Sequence, residues 1–325
     1  MTAPLPPVLV ADVGGTNTRV ALAHGGSVDR TSIRRLRNAE FPRLEDALRR
    51  YLDVAAPPGG IGGACVALAG PVRNGAARMT NLGWALTLDD LARATGAPTG
   101  RVALLNDLQA QGQALDQIAR DNLIPLRRGQ PDPGGARLVI GFGTGVNAAP
   151  VQPLPGGGRL VPAAEAGHIH LPIADDEDAA LAHWLRGEQG FASAEDVLAG
   201  SGLERLYRFH ARRAGTEDRL PAAQIMEQIA EGAPLAQATG RHYIRLMARY
   251  AAALALVHLP FGGIAFIGGV ARAMAPYAEA FGFDAAFCQM GRFSEFVADF
   301  AVDVVTDDYA ALTGCAQYLS TPVRA

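Results

Sequence analysis

The sequence predicts a soluble α/β protein made of two domains of related topology, and three observations carry that expectation. Apolar strands run into glycine turns three times, at residues 8–17, 138–145 and 264–270. The first two turns open into another strand rather than a helix, and helices follow each meander, so the chain carries an internal pseudo-repeat. At 325 residues the chain also exceeds the usual size of a single hydrophobic core, which leads to an expectation of two domains with a cleft between them.

Composition narrows the class. Hydrophobic residues make up 49%, charged residues 19%, and there are 38 glycines, as in a loop-rich α/β enzyme rather than a disordered or fibrous chain. A net charge of -3 and a pI near 6.2 leave no basic footprint for nucleic acid or an anionic membrane surface. All 29 basic residues are arginine. A Walker-type phosphate loop, a lysine Schiff base and a kinase of the protein-kinase type are thereby excluded, so any nucleotide is held without lysine. Cys65, Cys288 and Cys315 are far apart and lack partners at metal-ligand spacing, so they read as small buried hydrophobes in a reducing compartment. The N-terminus has no basic region followed by an apolar core, and the most apolar helix, near residues 250–260, is too short to span a bilayer. A cytoplasmic location is expected.

The first strand, residues 8–13, is an apolar run interrupted by Asp12, as expected of a buried strand that carries an acid to its end. Gly14 and Gly15 permit a tight turn, and Thr16 and Asn17 offer donors to an anion before the second strand. The hairpin is read as a phosphate cradle, although an ordinary hairpin whose glycines serve only the turn would look the same. Residues 27–33 are expected to add a third antiparallel strand, and residues 44–54 an amphipathic helix. A buried strand follows at 64–69, then a polar-aromatic loop at 79–84 including Thr80, Asn81 and Trp84. A helix from Thr87 to Ala94 has Thr87 and Asp90 placed for a capping box. The strand at 101–105 ends in Asn106 and Asp107, and a helix from 108 to about 120 is expected to cross between domains.

The second half begins its own meander at Leu138, continues through 146–151 and returns at 159–161. Helices are expected at 178–186, 195–198, 204–213, 222–231 and 235–258, strands at 264–267 and 302–306, and a last helix at 309–319. The resulting boundaries are 1–112 for a small domain, completed by 308–325, and 113–307 for a large one.

Four sets of residues are candidates for chemistry. Asp107 at a strand end is placed to act as an acid or base in a cleft, while Asn106 with Gln109 also fits a simple helix cap. Glu165 and His168, separated by two small residues, suit a small polar ligand. His168 and His170 would share a face of a strand, but no third metal ligand accompanies them. Glu195 equally suits a first-turn helix acid. Neither glycine turn has the G-x-G-x-x-G spacing that opens into a helix, which disfavours a dinucleotide fold.

Taken together, Asp12-Val-Gly-Gly-Thr-Asn17, Leu105-Asn106-Asp107, Gly143-Thr144-Gly145, Glu165-Ala-Gly-His168, Ser193-Ala-Glu195 with Gly200-Ser-Gly202, and Ile267-Gly-Gly-Val270 occur in the order seen in bacterial glucokinases of the proteobacterial type. The chain resembles that family from end to end. The resemblance implies a two-domain actin-like ATPase (ribonuclease H-like) fold, with nucleotide and sugar in the interdomain cleft. It implies that Asp12, Gly14, Gly15, Thr16 and Asn17, with Gly143, Thr144 and Gly145, bind the phosphates of ATP, and that Gly268 and Gly269 face adenosine. Asp12 would hold magnesium through water. Asn106, Asp107, Glu165, His168 and Glu195 match the glucose positions, with Asp107 as the base for the 6-hydroxyl. A homodimer is also implied.

The chain departs from the family pattern at Asn147, where another glycine is usual, at Ala166, where Glu-Gly-Gly-His is usual, and at His170, where an acid is common. None of these removes a proposed catalytic group. A kinase for another hexose or an amino sugar, and a sugar-responsive binding protein with weak turnover, are the competing functions. A second bacterial sugar-kinase family is disfavoured because its regulatory helix-turn-helix and zinc-binding cysteine cluster are missing.

Overall fold

A computed structural model of the chain describes residues 6–55, 57–79 and 82–320. Thr80 and Asn81 of the expected polar loop, residues 1–5 of the N-terminus and residues 321–325 of the small domain lie outside the described residues. In chain order the strands are β1 (Val8–Val13), β2 (Asn17–His24), β3 (Ser27–Val28), β4 (Arg34–Arg37), β5 (Gly63–Leu68), β6 (Val72–Arg73), β7 (Ala76–Arg78), β8 (Ala85–Thr87), β9 (Val102–Asn106), β10 (Leu123–Arg127), β11 (Arg137–Phe142), β12 (Val146–Pro153), β13 (Arg159–Leu160), β14 (Ile264–Ile267) and β15 (Val302–Val305). The helices are α1 (Leu44–Ala55), α2 (Leu88–Thr95), α3 (Asp107–Ala114), α4 (Asp176–Gln189), α5 (Glu195–Leu198), α6 (Gly200–Arg213), α7 (Ala222–Glu231), α8 (Pro234–His258), α9 (Gly269–Met274), α10 (Phe283–Phe287), α11 (Ser294–Val297) and α12 (Ala310–Ser320).

The chain divides into two units: unit one comprises residues up to 118, 153–163 and 307 onward, and unit two comprises 119–152 and 164–306. In unit one the sheet order is β3-β2-β1-β5-β9, with β4 also on β2. β1 and β2 are antiparallel, whereas β1–β5 and β5–β9 are parallel. Flanked on both sides, β1 must be apolar on both faces. Leu9, Ala11 and Val13 face a core shared with Leu44, Leu48 and Tyr51 of α1 and Leu91 of α2. Val8 and Val10 face the opposite core, with Cys65 of β5 and Leu312, Cys315 and Ala316 of α12. Cys65 and Cys315 are buried, Cys288 is partly so, and all three are free thiols.

Unit two repeats the arrangement. Along β10-β15-β14-β11-β12, the pair β11–β12 is antiparallel and β11–β14 and β14–β15 are parallel. The two halves expected to repeat do so, but each is an opening hairpin followed by two parallel strands rather than a meander followed by helices. The 25-residue α8 starts with Pro234 at its first turn, where the missing N–H costs nothing. Its Tyr250 ring meets Phe142 edge-on at 6.2 Å, and Phe142 meets Phe266 at 5.0 Å. No helix among the described residues is long and apolar enough to cross a membrane.

Several elements differ from the sequence expectation for local reasons. The third strand stops after β3, because Asp29 accepts the Thr31 N–H at 2.9 Å and caps a 3-10 turn over Arg30–Ser32 before β4 pairs with β2. Local side-chain bonds of this kind compete with the ladder. The helix expected over 108–120 ends at Ala114 and tightens to a 3-10 turn at Leu115–Gln117. A small sheet, β6-β7-β8, was not anticipated. Its first hairpin turns on Asn74 and Gly75, at φ 52° and 71°, the left-handed pair that an Asn-Gly dipeptide favours. β10 was also not anticipated, because Pro125 interrupts it; it lies at the sheet edge, where the register shifts between Pro125 and Arg127.

Unit two also buries a polar network that joins α4, α6 and α8. Asp178, fully buried, accepts from His242 Nε2 at 2.9 Å, Arg249 Nη1 at 2.5 Å and the Ala174 N–H at 2.9 Å. A carboxylate only accepts, so His242 Nε2 donates to it, and His242 Nδ1 lies 3.1 Å from His210 Nε2, in hydrogen-bond contact. Glu177 is held by Arg245 at 2.8 Å. The two imidazoles thus form one hydrogen-bonded chain to Asp178. Burial, reinforced by His242, pushes the His210 imidazole down to about 4. The unfolded chain takes up this proton near pH 6.5 and the folded chain only near pH 4, so stability falls as pH drops across that window, by roughly 3 kcal/mol in all. His210→Gln is expected to flatten this part of the pH profile. Thermal melts between pH 7 and 4.5 that superimpose for the variant and the parent would remove His210 from the acid response.

Candidate active site

In unit one the parallel strands β1, β5 and β9 deliver polar residues to the same ends. Asp12 sits opposite Ala67 of β5, and Leu68 sits opposite Asn106 of β9, so Asp12 and Asn106–Asp107 share the carboxyl edge of the sheet. The turn after β1 closes through the Gly14 N–H donating to Asn17 O at 3.0 Å, leaving Gly15 and Thr16 exposed. Burial pushes the Asp12 carboxyl above its usual range, and Arg19 Nη1, 3.2 Å away across the hairpin, offsets part of that rise.

The hairpin has a support the sequence reading passed over. Asn38, almost fully buried, donates through Nδ2 to Gly14 O at 2.8 Å and accepts from Thr18 Oγ1 at 2.8 Å. Its N–H also donates to Thr16 O at 3.0 Å. Nothing in the local sequence marks Asn38. Arg19, by contrast, was legible: pairing Val13 with Thr18 across the turn places it opposite Asp12.

Asn106 caps α3, with its Oδ1 accepting the Gln109 N–H at 2.6 Å and Gln109 Oε1 accepting the Asn106 N–H at 3.1 Å. The capping box is therefore present, and it leaves Asp107 exposed as the first residue of the helix. Asp107 Oδ1 accepts the Leu108 N–H at 2.8 Å. Gln109 Nε2 and Gln113 Nε2 reach Val161 O and Arg159 O, at 2.8 and 3.0 Å, fastening the 153–163 segment to α3.

In unit two the turn at Gly143, Thr144 and Gly145 follows β11, closed by the Gly143 N–H donating to Gly145 O at 3.0 Å. Gly141 of β11 is level with Ile267 of β14, so Gly268 and Gly269 emerge at the same edge, where α9 begins. The Gly200 N–H donates to Gly143 O at 2.9 Å and anchors the turn to the start of α6. Glu195 is not merely a first-turn helix acid: its Oε2 accepts the Val146 N–H at 2.8 Å. The α5 turn is capped by Ser193 and Asp196, which exchange bonds. Glu165 and His168 are exposed on a 3-10 turn over Ala166–His168. At Gly167 a Cβ would lie 1.9 Å from Val146 O, so only glycine allows the turn to approach the strand this closely.

The expectation that His168 and His170 share a strand face is corrected by this turn. Residues 166–168 are not extended, and His170 instead forms a bridge with Ser193 and packs its ring 4.6 Å from Phe191. Unit two thus brings Gly143–Gly145, Glu165, His168 and Glu195 around Val146, while unit one groups Asp12 through Asn17 with Asn106 and Asp107.

Two sheets of one topology, each opening with a glycine hairpin at the carboxyl edge of its parallel strands, define the actin-like ATPase fold used by sugar kinases. Comparisons with known proteins make the assignment specific. The glucokinase family model matches residues 9–322. A glucokinase of Cupriavidus pinatubonensis is 34% identical over 97% of this chain and 92% of its own length. The crystal structure of a glucokinase from an Antarctic psychrotroph superposes with a TM-score of 0.87 at 31% identity, covering 97% of this chain and 99% of that one. A ROK family glucokinase from Streptomyces griseus, solved with glucose and AMPPNP, shares the fold at TM-score 0.60 and 19% identity, covering 96% of this chain and 98% of that one. The chain belongs to the glucokinase family.

Proposed function

We propose that this glucose kinase transfers the γ-phosphoryl group of ATP to the 6-hydroxyl of glucose, with the Asp107 carboxylate as the general base. The O6 proton passes to Asp107 as O6 bonds to the γ-phosphorus and the bond to the β-phosphate oxygen breaks, releasing ADP. The observation that carries the reading is the position of Asn106 and Asp107 at the strand edge that also holds Asp12 and its glycine hairpin. Phosphoryl transfer is accelerated mainly by positioning and charge stabilisation, which such preformed edges supply.

In this reading Gly14, Gly15, Thr16 and Asn17, with Gly143, Thr144 and Gly145, bind the phosphates, and Gly268 and Gly269 adjoin adenosine. Asn106, Glu165, His168 and Glu195 hold the hydroxyls of the sugar. Asp12 fits magnesium held through water: with Oδ2 beside Arg19, its other carboxylate oxygen can accept from water on an ion that keeps most of its hydration, and its buried charge favours a facing cation. Magnesium, when bound, would neutralise developing charge on the phosphates. A homodimer and a cytoplasmic location are proposed on the likeness to bacterial glucokinases, and sedimentation of the purified protein tests the first.

The assay is ADP release with magnesium-ATP against glucose, fructose, mannose, galactose, glucosamine and N-acetylmannosamine, each set against a blank without sugar. Glucose-dependent turnover well above the others is expected; folded protein that binds ATP but turns over none of them would reject the kinase. Asn38→Ala tests the phosphate hairpin. Losing two side-chain bonds that pin Gly14 and Thr18, it is expected to raise KM for ATP several-fold, leave KM for glucose nearly unchanged and cost about 1–3 kcal/mol of stability. A normal KM for ATP would detach the hairpin from nucleotide binding.

A further inference from the structure

Two of the positions that depart from the family pattern touch each other. Asn147, the first residue of β12 after Val146, directs its amide at the turn that carries Glu165 and His168. Its Oδ1 accepts the Ala166 N–H at 2.9 Å and the Ala148 N–H at 2.8 Å, and its Nδ2 donates to Ala164 O at 2.5 Å. The amide orientation follows from these partners: reversing it would set NH2 against two N–H donors and oxygen against a carbonyl. Both backbone neighbours of Glu165 are therefore gripped by one side chain.

The residue before it does comparable work through its backbone. The Val146 N–H donates to Glu195 Oε2 at 2.8 Å, and Val146 O is the atom against which Gly167 packs. Residues 146 and 147 follow directly on Gly145, the last residue of the glycine turn. No flexible segment intervenes between that turn and the fastening points of Glu165, His168 and Glu195.

We infer that Asn147 is a positioning residue for the sugar, an inference that rests on the proposed assignment of Glu165 and His168 to glucose. A glycine at this position would leave the 164–166 backbone without a side-chain clamp. Here the carboxamide supplies one, and Ala166, which lacks the conformational freedom of glycine, is the residue whose N–H it holds. Asn147 touches neither reacting atom; it acts by holding the turn that presents Glu165 and His168 in one conformation before glucose binds.

The test uses the full chain with Asn147→Ala and Asn147→Asp. Alanine removes all three bonds. Aspartate keeps the acceptor for Ala148 and Ala166 but sets a second oxygen against the Ala164 carbonyl. Both are expected to raise KM for glucose about tenfold, with KM for ATP within twofold and a measurable drop in melting temperature from the lost bonds. Glucose affinity in the absence of nucleotide, measured by calorimetry, is expected to weaken by the same factor. Unchanged glucose constants in an active parent background, or equal rises in both KM values, overturn the inference and leave the kinase reading intact. A parent without glucose-dependent turnover overturns the kinase reading, and this inference with it. If alanine fails to fold, aspartate alone decides between these outcomes.

Discussion

Asp107→Asn is expected to lower kcat by about a hundred- to ten-thousand-fold while leaving glucose affinity within a few-fold. The substitution preserves size and the oxygen that accepts the Leu108 N–H at 2.8 Å, and it leaves the Asn106–Gln109 capping box untouched. What it removes is the capacity to take the O6 proton as the oxygen attacks phosphorus. Because the change is confined to the transition state, kcat and kcat/KM should fall together. Steady-state kinetics with calorimetric binding of glucose checks this. A rate equal to the parent's would take the base role from Asp107, and a parallel loss of glucose binding would show it to be a sugar ligand first.

The largest effect on stability is expected at Asp178. Asp178→Ala removes the acceptor of Arg249, of His242 and of the Ala174 N–H, and strands the buried guanidinium that Arg249 carries on α8. Breaking such a pair from one side typically costs about 3–5 kcal/mol, because the remaining charge stays desolvated. Denaturation midpoints of the parent and variant, at equal slope, measure the loss. A cost below about 1 kcal/mol would mean that Arg249 turns wholly to Asp175 and Gln289, its other partners at 3.2 and 3.3 Å.

How far the sequence could be read depended on the range of the interactions involved. β1 and β11 were legible because a strand flanked on both sides must be apolar throughout, and the chain states that within six residues. The Thr87–Asp90 and Asn106–Gln109 boxes span four residues each and were readable for the same reason. The Asn74-Gly75 hairpin carried an equally local signal that went unused, and Pro125 concealed β10 because its tolerance of proline depends on being an edge.

The candidate groups themselves, from Asp12 to Gly269, were found as residue types at strand ends and turns. Their support was not. Asn38 reaches Gly14 across 24 positions, Glu195 reaches Val146 across 49, and Asp178 reaches His242 across 64. A buried polar group must find a partner, but which partner is set by how sheets and helices bring distant backbone together, and no local pattern encodes that.

The sequence by itself determined the α/β class, the repeated strand-and-glycine device, the exclusion of lysine chemistry and the resemblance that identified the family, since all of these are written in residue type and short spacing. Only the tertiary structure decided that Asn147 grips the turn around Glu165, that Glu195 serves Val146 and that His210 is held neutral. Each of those depends on a hydrogen bond or a desolvated environment created when segments far apart in sequence come together.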